Sequence, residues 1–310
     1  MEKKKILVIG SLNIDMVINV DHTPVTGETI LSDHMAMVPG GKGANQACAA
    51  GCLGADVVML GAVGEDAYAD MQRESLGKAG VDVSYLVRKQ DVSTGLAVVT
   101  VNRDGDNSIV VISGANMALT PADIDANESL IRECELVILQ LEIPLDTVCY
   151  AAKRAKELGK KVVLDPAPVP NDFPEELYQY VDIIKPNETE LARLTGMGSG
   201  DADIAPAASL LRGRGVKNVL VTLGEKGVYL DSEECGRCMI PAHKVRAVDT
   251  TAAGDSFTAA LAMMLMQGKD IREAAEFANC VSAIVVTREG AQSSIPTLEE
   301  VIKYREGLAS

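Results

Sequence analysis

The chain has 310 residues, 47% of them hydrophobic, enough to bury a substantial core in one large domain or two small ones. Its net charge of −15 argues against nucleic acid or an anionic lipid surface as the main partner, because both are phosphate polyanions. A small phosphate ligand stays open, since backbone N–H groups and helix ends hold anions without net positive charge.

In chain order, a basic start (Lys3-Lys-Lys5) leads into the apolar run 6–9 and Gly10. The run is too short for a signal peptide, and Asn13 and Asp15 follow at once, so it reads as a first strand buried on both faces. Residues 16–20 alternate, with Met16, Ile18 and Val20 on one face. They lead through Pro24 and Gly27 to a second strand-like segment at 29–38. A glycine-rich stretch, Pro39-Gly-Gly-Lys-Gly-Ala-Asn-Gln-Ala47, opens a helix expected over 43–53. Buried strands are expected at 56–60, 136–141, 162–164, 181–184 and 218–222. Helices are expected at 66–79, 121–133, 145–158, 188–194 and 205–211, the second with Thr120 as N-cap before a Pro. Two further strand-like runs, 95–101 and 108–112, flank the hairpin signal Asp104-Gly105. Phe257, Ala260, Leu261, Met264 and Leu265 mark an amphipathic helix, and another follows over 274–286.

Apolar strands alternating with helices imply an α/β fold, a mainly parallel central sheet with helices on both faces. The strands at about 16–38 and 95–112 break that alternation and are expected to form a small antiparallel β lid over its open edge. No repeat, low-complexity tract or linker divides the chain, so 1–310 reads as a single domain. No segment reaches the ~18–20 apolar residues of a membrane span. Seven cysteines, an odd number in a large chain, suggest reduced thiols and the cytoplasm. Cys235-Gly-Arg-Cys238 lacks the second pair that a structural zinc site needs.

Chemistry concentrates in three stretches. In Asp249-Thr-Thr-Ala-Ala-Gly-Asp-Ser-Phe257, small residues sit at a helix N-terminus, where unpaired N–H groups and the dipole favour an anion. Asp255 in that turn is either a cap or a base placed beside a transferring phosphoryl group. In 39–47, the glycines allow close backbone approach to a ligand and Lys42 and Asn45 offer donors. With Asn13, Asp15 and Glu142, each just past a strand, they suit a polyhydroxylated ligand at the carboxyl ends of the sheet. In Lys185-Pro-Asn-Glu-Thr-Glu190, Asn187 and Glu190 form either a capping box or part of a Mg²⁺–nucleotide site. No Gly-Lys pair is followed by Ser or Thr, and the first strand ends Gly10-Ser-Leu-Asn13. Walker A and dinucleotide fingerprints are therefore both absent.

In this order and spacing the stretches resemble the ribokinase branch of the phosphofructokinase-B-type sugar kinases, over nearly the whole chain. The resemblance implies transfer of the ATP γ-phosphoryl to the O5 hydroxyl of ribose. Another small hydroxymethyl acceptor (deoxyribose, a ketose or a nucleoside) and a non-catalytic sugar-binding regulator are the alternatives. It further implies that Asn13, Asp15, Gly41, Lys42, Asn45 and Glu142 bind the sugar. Asp255 would be the base and Ala252, Ala253 and Gly254 the anion hole. Asn187, Thr222, Gly224, Gly227, Gly254 and Asn279 would line the nucleotide site, with Glu190 acting indirectly on Mg²⁺. A potassium ion would be held by Asp249, Thr251, Val285, Arg288, Gly290 and Ser294, largely through carbonyls. A homodimer formed through the lid would complete the picture. The chain departs from the family pattern at Ala253, where many relatives have Gly, and at Asp165, where Asn is commoner in ribokinases.

Overall fold

The computed structural model describes residues 4–103 and 107–308. An eight-stranded sheet runs in the order Gly236–Ile240, Val228–Ser232, Asn218–Thr222, Ile183–Ile184, Lys161–Leu164, Cys134–Leu139, Lys5–Ile9, Asp56–Leu60. Every pairing among the last six strands is parallel, and the first two add an antiparallel hairpin at the edge.

The continuous apolar runs divide by parity between two cores. Ile6, Val8, Val57, Met59, Leu136 and Ile138 face the helices Lys42–Cys52, Ala253–Met266 and Ile271–Val285. Leu7, Ile9, Val58, Leu60, Val137 and Leu139 face Leu145–Glu157, Glu188–Thr195 and Asp201–Gly213. A strand covered on both faces needs no polar alternation, which is why these runs are uninterrupted.

A four-stranded sheet, ordered Met35–Gly40, Asn13–Asn19, Gly95–Val101, Asn107–Ile112, forms the lid. Its outer pairings are antiparallel. The central one, Asn13–Asn19 with Gly95–Val101, is parallel, because the intervening chain crosses through helices before returning. The expected strand at 29–38 starts only at Met35. The expected turn at Asp104-Gly105 lies outside the described residues. The helix expected over 121–133 is two, Pro121–Ala126 and Glu128–Glu133. Asn127 Nδ2 donates back to the Asp123 carbonyl at 2.8 Å, a local bond that competes with helix continuation.

Candidate active site

Three distant segments meet at the carboxyl ends of the central strands. The Ala253–Met266 helix begins at Ala252, whose φ of 59° is rare outside glycine, and no side chain caps it. Ala253 N donates to the Thr250 carbonyl at 3.2 Å, and the N–H groups that follow it, with the positive dipole end, are suited to an anion. Asp255 in this turn is buried. Its Oδ2 accepts from Asn45 Nδ2 and its Oδ1 from Gln46 Nε2, each at 3.0 Å. The carboxylate thus reaches across to the Lys42–Cys52 helix and makes no cap on its own, so the capping alternative does not hold.

Residues 252–255 line a cavity of about 680 Å³, a size suited to small ligands. Lys42 shares the wall. Burial alone would lower its pKa, but Asp255, Asp165, Glu142 and Glu190 outweigh burial and hold the ammonium charged.

Asn13 and Asp15 open the lid strand. Asn13 Oδ1 accepts from Asn116 Nδ2 at 2.7 Å, and Asn116 Oδ1 accepts from Leu12 N at 2.9 Å. Two glycines leave room for the pair. A Cβ at Gly95 would lie 2.1 Å from Asn13 Oδ1, and one at Gly40 would lie 2.2 Å from Asp15 Oδ2. Gln72 Nε2 donates to the Asn13 and Gly40 carbonyls and ties the two lid strands at their base. Gly41 begins the next helix, its carbonyl accepting from Asn45 N at 2.8 Å. Glu142 Oε2 accepts from Ser11 Oγ at 2.5 Å and Lys42 N at 3.1 Å, locking that helix to the exit of the first strand.

Burial, then the charges of Glu142 and Asp255, push the Asp15 carboxyl up to about 6. Its ionised form accepts hydroxyl hydrogen bonds at both oxygens, and protonation removes part of that capacity. The sugar KM is therefore expected to rise as pH falls through about 6, and Asp15→Asn should bind more weakly but without this pH dependence. A wild-type KM that stays flat over about pH 5–8 would count against Asp15 as a sugar ligand.

Asn187 and Glu190 do form a reciprocal capping box, each bond 2.8 Å, and both also line the cavity. Burial, then Asp165, raises the Glu190 pKa. Thr222 N donates to the Pro186 carbonyl at 3.0 Å and brings Thr222 beside Asn187. Gly224 and Gly227 turn the chain into the edge hairpin. Gly227 has φ 102°, and a Cβ there would fall 2.1 Å from the Ile240 carbonyl. Asn279 Nδ2 reaches the Pro241 carbonyl at 3.3 Å and closes that end of the cavity.

Behind the anion hole, Asp249 joins two loops. Its Oδ1 accepts from Thr251 N at 2.9 Å and Oγ1 at 2.6 Å, and its Oδ2 accepts from Gly290 N at 2.9 Å. Burial opposes ionisation of Asp249, but these bonds outweigh it and hold the pKa below the usual range. Arg288 turns its guanidinium to Glu300 at 2.6 Å, and its N–H takes the Val285 carbonyl at 3.0 Å. Ser294 is buried on the Ala291 carbonyl at 2.7 Å. The Val285 and Ala291 carbonyls of this segment thus already accept from Arg288 N and Ser294 Oγ.

Several side chains escaped the sequence reading. Lys185 Nζ lies 3.0 Å from Asp165 Oδ2 and 3.3 Å from the Gly254 carbonyl, in the cavity wall. Gln46, Gln140, Gln72 and Asn116 are fully buried polar residues around the site. Gln46 and Lys185 stand inside stretches already singled out. Nothing in the sequence marks Gln140 or Asn116.

An open parallel sheet whose strand ends face an uncapped helix start, with a carboxylate beside a cavity, suits the transfer of a phosphoryl group. Residues 3–298 match the model of the pfkB family carbohydrate kinases, and the chain belongs to that family. It is 39% identical to a ribokinase of Haemophilus influenzae, over 98% of this chain and 99% of that protein. It is also 39% identical to a deoxyribokinase of Salmonella typhimurium, over 96% and 98%. The structure of Arabidopsis thaliana ribokinase complexed with ribose and ATP superimposes with a TM-score of 0.92 at 37% identity. That match covers 97% of this chain and 98% of the plant chain.

Proposed function

We propose that this chain transfers the γ-phosphoryl of ATP to the O5 hydroxyl of D-ribose, giving ribose 5-phosphate. The observation that carries the reading is Asp255, buried at an uncapped helix start and held by two amides of the glycine-rich helix in the cavity wall. The relatives' names support ribose, but the deoxyribokinase is equally identical, so identity alone does not choose between pentoses.

In this reading Asn13, Asp15 and Glu142 place the sugar with its hydroxymethyl group toward Asp255. The transition state of phosphoryl transfer is loose, so positioning and charge stabilisation outweigh base strength. Asp255 takes the hydroxyl proton late, while the N–H groups of residues 254 and 255 and the Lys42 ammonium stabilise the charge that develops. Glu190 and Asn187 suit Mg²⁺, which when bound would neutralise the nucleotide phosphates.

Coupled ADP release across ribose, 2-deoxyribose, ketoses and nucleosides tests the assignment. Ribose should give the highest kcat/KM. A tenfold preference for another acceptor would replace it, and binding without turnover would favour a regulator.

Asp249 ties the two loops together through N–H donors, and a weakly hydrated cation such as potassium held there, largely by loop carbonyls, would order the anion-hole backbone without touching substrate. Replacing potassium by tetramethylammonium at constant ionic strength should lower kcat several-fold, and Asp249→Ala should abolish the difference. Equal rates in both salts would remove the cation site.

The lid also supports a two-fold dimer. Asn107–Ile112 is an edge strand exposed along its whole length, with Val110 65% and Ile109 54% exposed. An apolar edge of this kind favours a second copy. Light scattering at micromolar concentration should give twice the chain mass, and a monomer alone would overturn the pairing. Seven free cysteines are consistent with the reducing cytoplasm. Among the described residues no helix is long and apolar enough to cross a membrane.

A further inference from the structure

We propose that Gln46 is the positioning residue that orients Asp255, an inference that rests on the kinase reading and names a residue which acts through the base. Gln46 is fully buried and does not line the cavity. Its amide joins three other side chains. Nε2 donates to Asp255 Oδ1 at 3.0 Å and to Asp165 Oδ2 at 2.9 Å, and Oε1 accepts from Gln140 Nε2 at 2.6 Å.

The chemistry fixes which way this amide points. Reversed, its oxygen would face two carboxylate oxygens, none of which can donate when ionised. Gln140 has its place because residue 10 is glycine: a Cβ there would lie 1.8 Å from Gln140 Oε1. Lys185 reaches the same Asp165 oxygen, Oδ2, at 3.0 Å, and Lys185 also donates to the Gly254 carbonyl at 3.3 Å. The series Gln140, Gln46, Asp165, Lys185 therefore returns to the turn that carries Asp255.

Two consequences follow for the base. Asn45 holds one Asp255 oxygen and Gln46 the other, so the carboxylate plane cannot rotate without losing a bond. The neutral amide also separates two buried carboxylates whose direct contact would be repulsive. Gln46 sets the direction from which Asp255 meets the hydroxyl, while sugar and nucleotide bind elsewhere.

The test is Gln46→Leu, close in volume but without the amide, checked for folding by thermal melting. kcat should fall roughly 10- to 100-fold, the range for losing one hydrogen bond to a charged group. The KM values for sugar and ATP should stay within about threefold, since Gln46 touches neither. A crystal structure of the variant should show the Asp255 carboxylate turned from its place between residues 45 and 46. Gln46→Glu keeps the shape, sets a third carboxyl beside the other two, and should lose at least as much kcat. Adding Asp165→Asn should recover part of that loss, because an amide then faces the new carboxyl. If Gln46→Leu does not fold, the Glu variant and its rescue decide the matter.

A kcat within about threefold of wild type, KM values rising as far as kcat falls, or an unmoved Asp255 would each overturn the proposal. Wild-type protein that phosphorylates no sugar would instead overturn the kinase reading. The variant crystal structure would then decide the role of Gln46 alone.

Discussion

Asp255→Asn lowers kcat by roughly 10²- to 10⁴-fold while sugar affinity changes by less than about threefold. The carboxylate is held by Asn45 and Gln46 beside an anion-binding turn, so its removal takes away a proton acceptor that meets the substrate as the reaction proceeds. The substitution preserves shape, yet the new amide sets one NH₂ against a donor from the glycine-rich helix. A modest drop in melting temperature accompanies the catalytic loss. Single-turnover phosphorylation at near wild-type rate in the variant would falsify the assignment of the base.

The second large effect is expected at Lys42. Its ammonium interacts with Asp255, Asp165, Glu142 and Glu190, and with Lys185 on Asp165 it lets these carboxylates share one site. In Lys42→Met, kcat/KM should fall about 10²- to 10³-fold, the scale for losing one fixed positive group at a developing anion. Stability should fall by about 3 kcal/mol near neutral pH, because buried carboxylates lose one of their counter-charges. The sign with pH follows. The raised Lys42 pKa means that its contribution is fully present below about 10.5 and is lost only at more alkaline pH. In the variant the uncompensated carboxylates take up protons as pH falls toward about 5, so the stability gap to wild type narrows there. Urea denaturation at the two pH values measures this. A gap that is constant or widens toward acid would show that Lys42 does not serve as the counter-charge.

The central strands were legible because burial on both faces leaves an unbroken apolar run, as in residues 6–9 and 56–60. The edge hairpin Val228–Ser232 and Gly236–Ile240 was not foreseen. Its buried Asp231 and Ser232 hide the strand signal, and what makes that burial tolerable is Arg237, 3.0 Å from Asp231, which belongs to the partner strand. Asp255 and Lys42 stood out because a charged residue beside glycines at the end of an element is unusual, and Glu190 because it follows Asn187 by three residues just past a strand. Residues such as Gln46 and Gln140 did not, because a buried amide is recognised only by the partners that satisfy it. Those partners lie 94 and 209 residues away in sequence.

The strand Asn13–Asn19 carries Asn13 and Asp15 at its base and continues outward as the lid. If Asn13 and Asp15 hold the acceptor as proposed, its recognition and the sheet that would cover it belong to one uninterrupted piece of chain, which follows the first strand after Gly10-Ser-Leu12. On that reading, a lid transplanted between relatives should carry its donor's taste in sugars with it. Conversely, retuning residues 13–15 toward a new acceptor should also alter the strand that forms the roof.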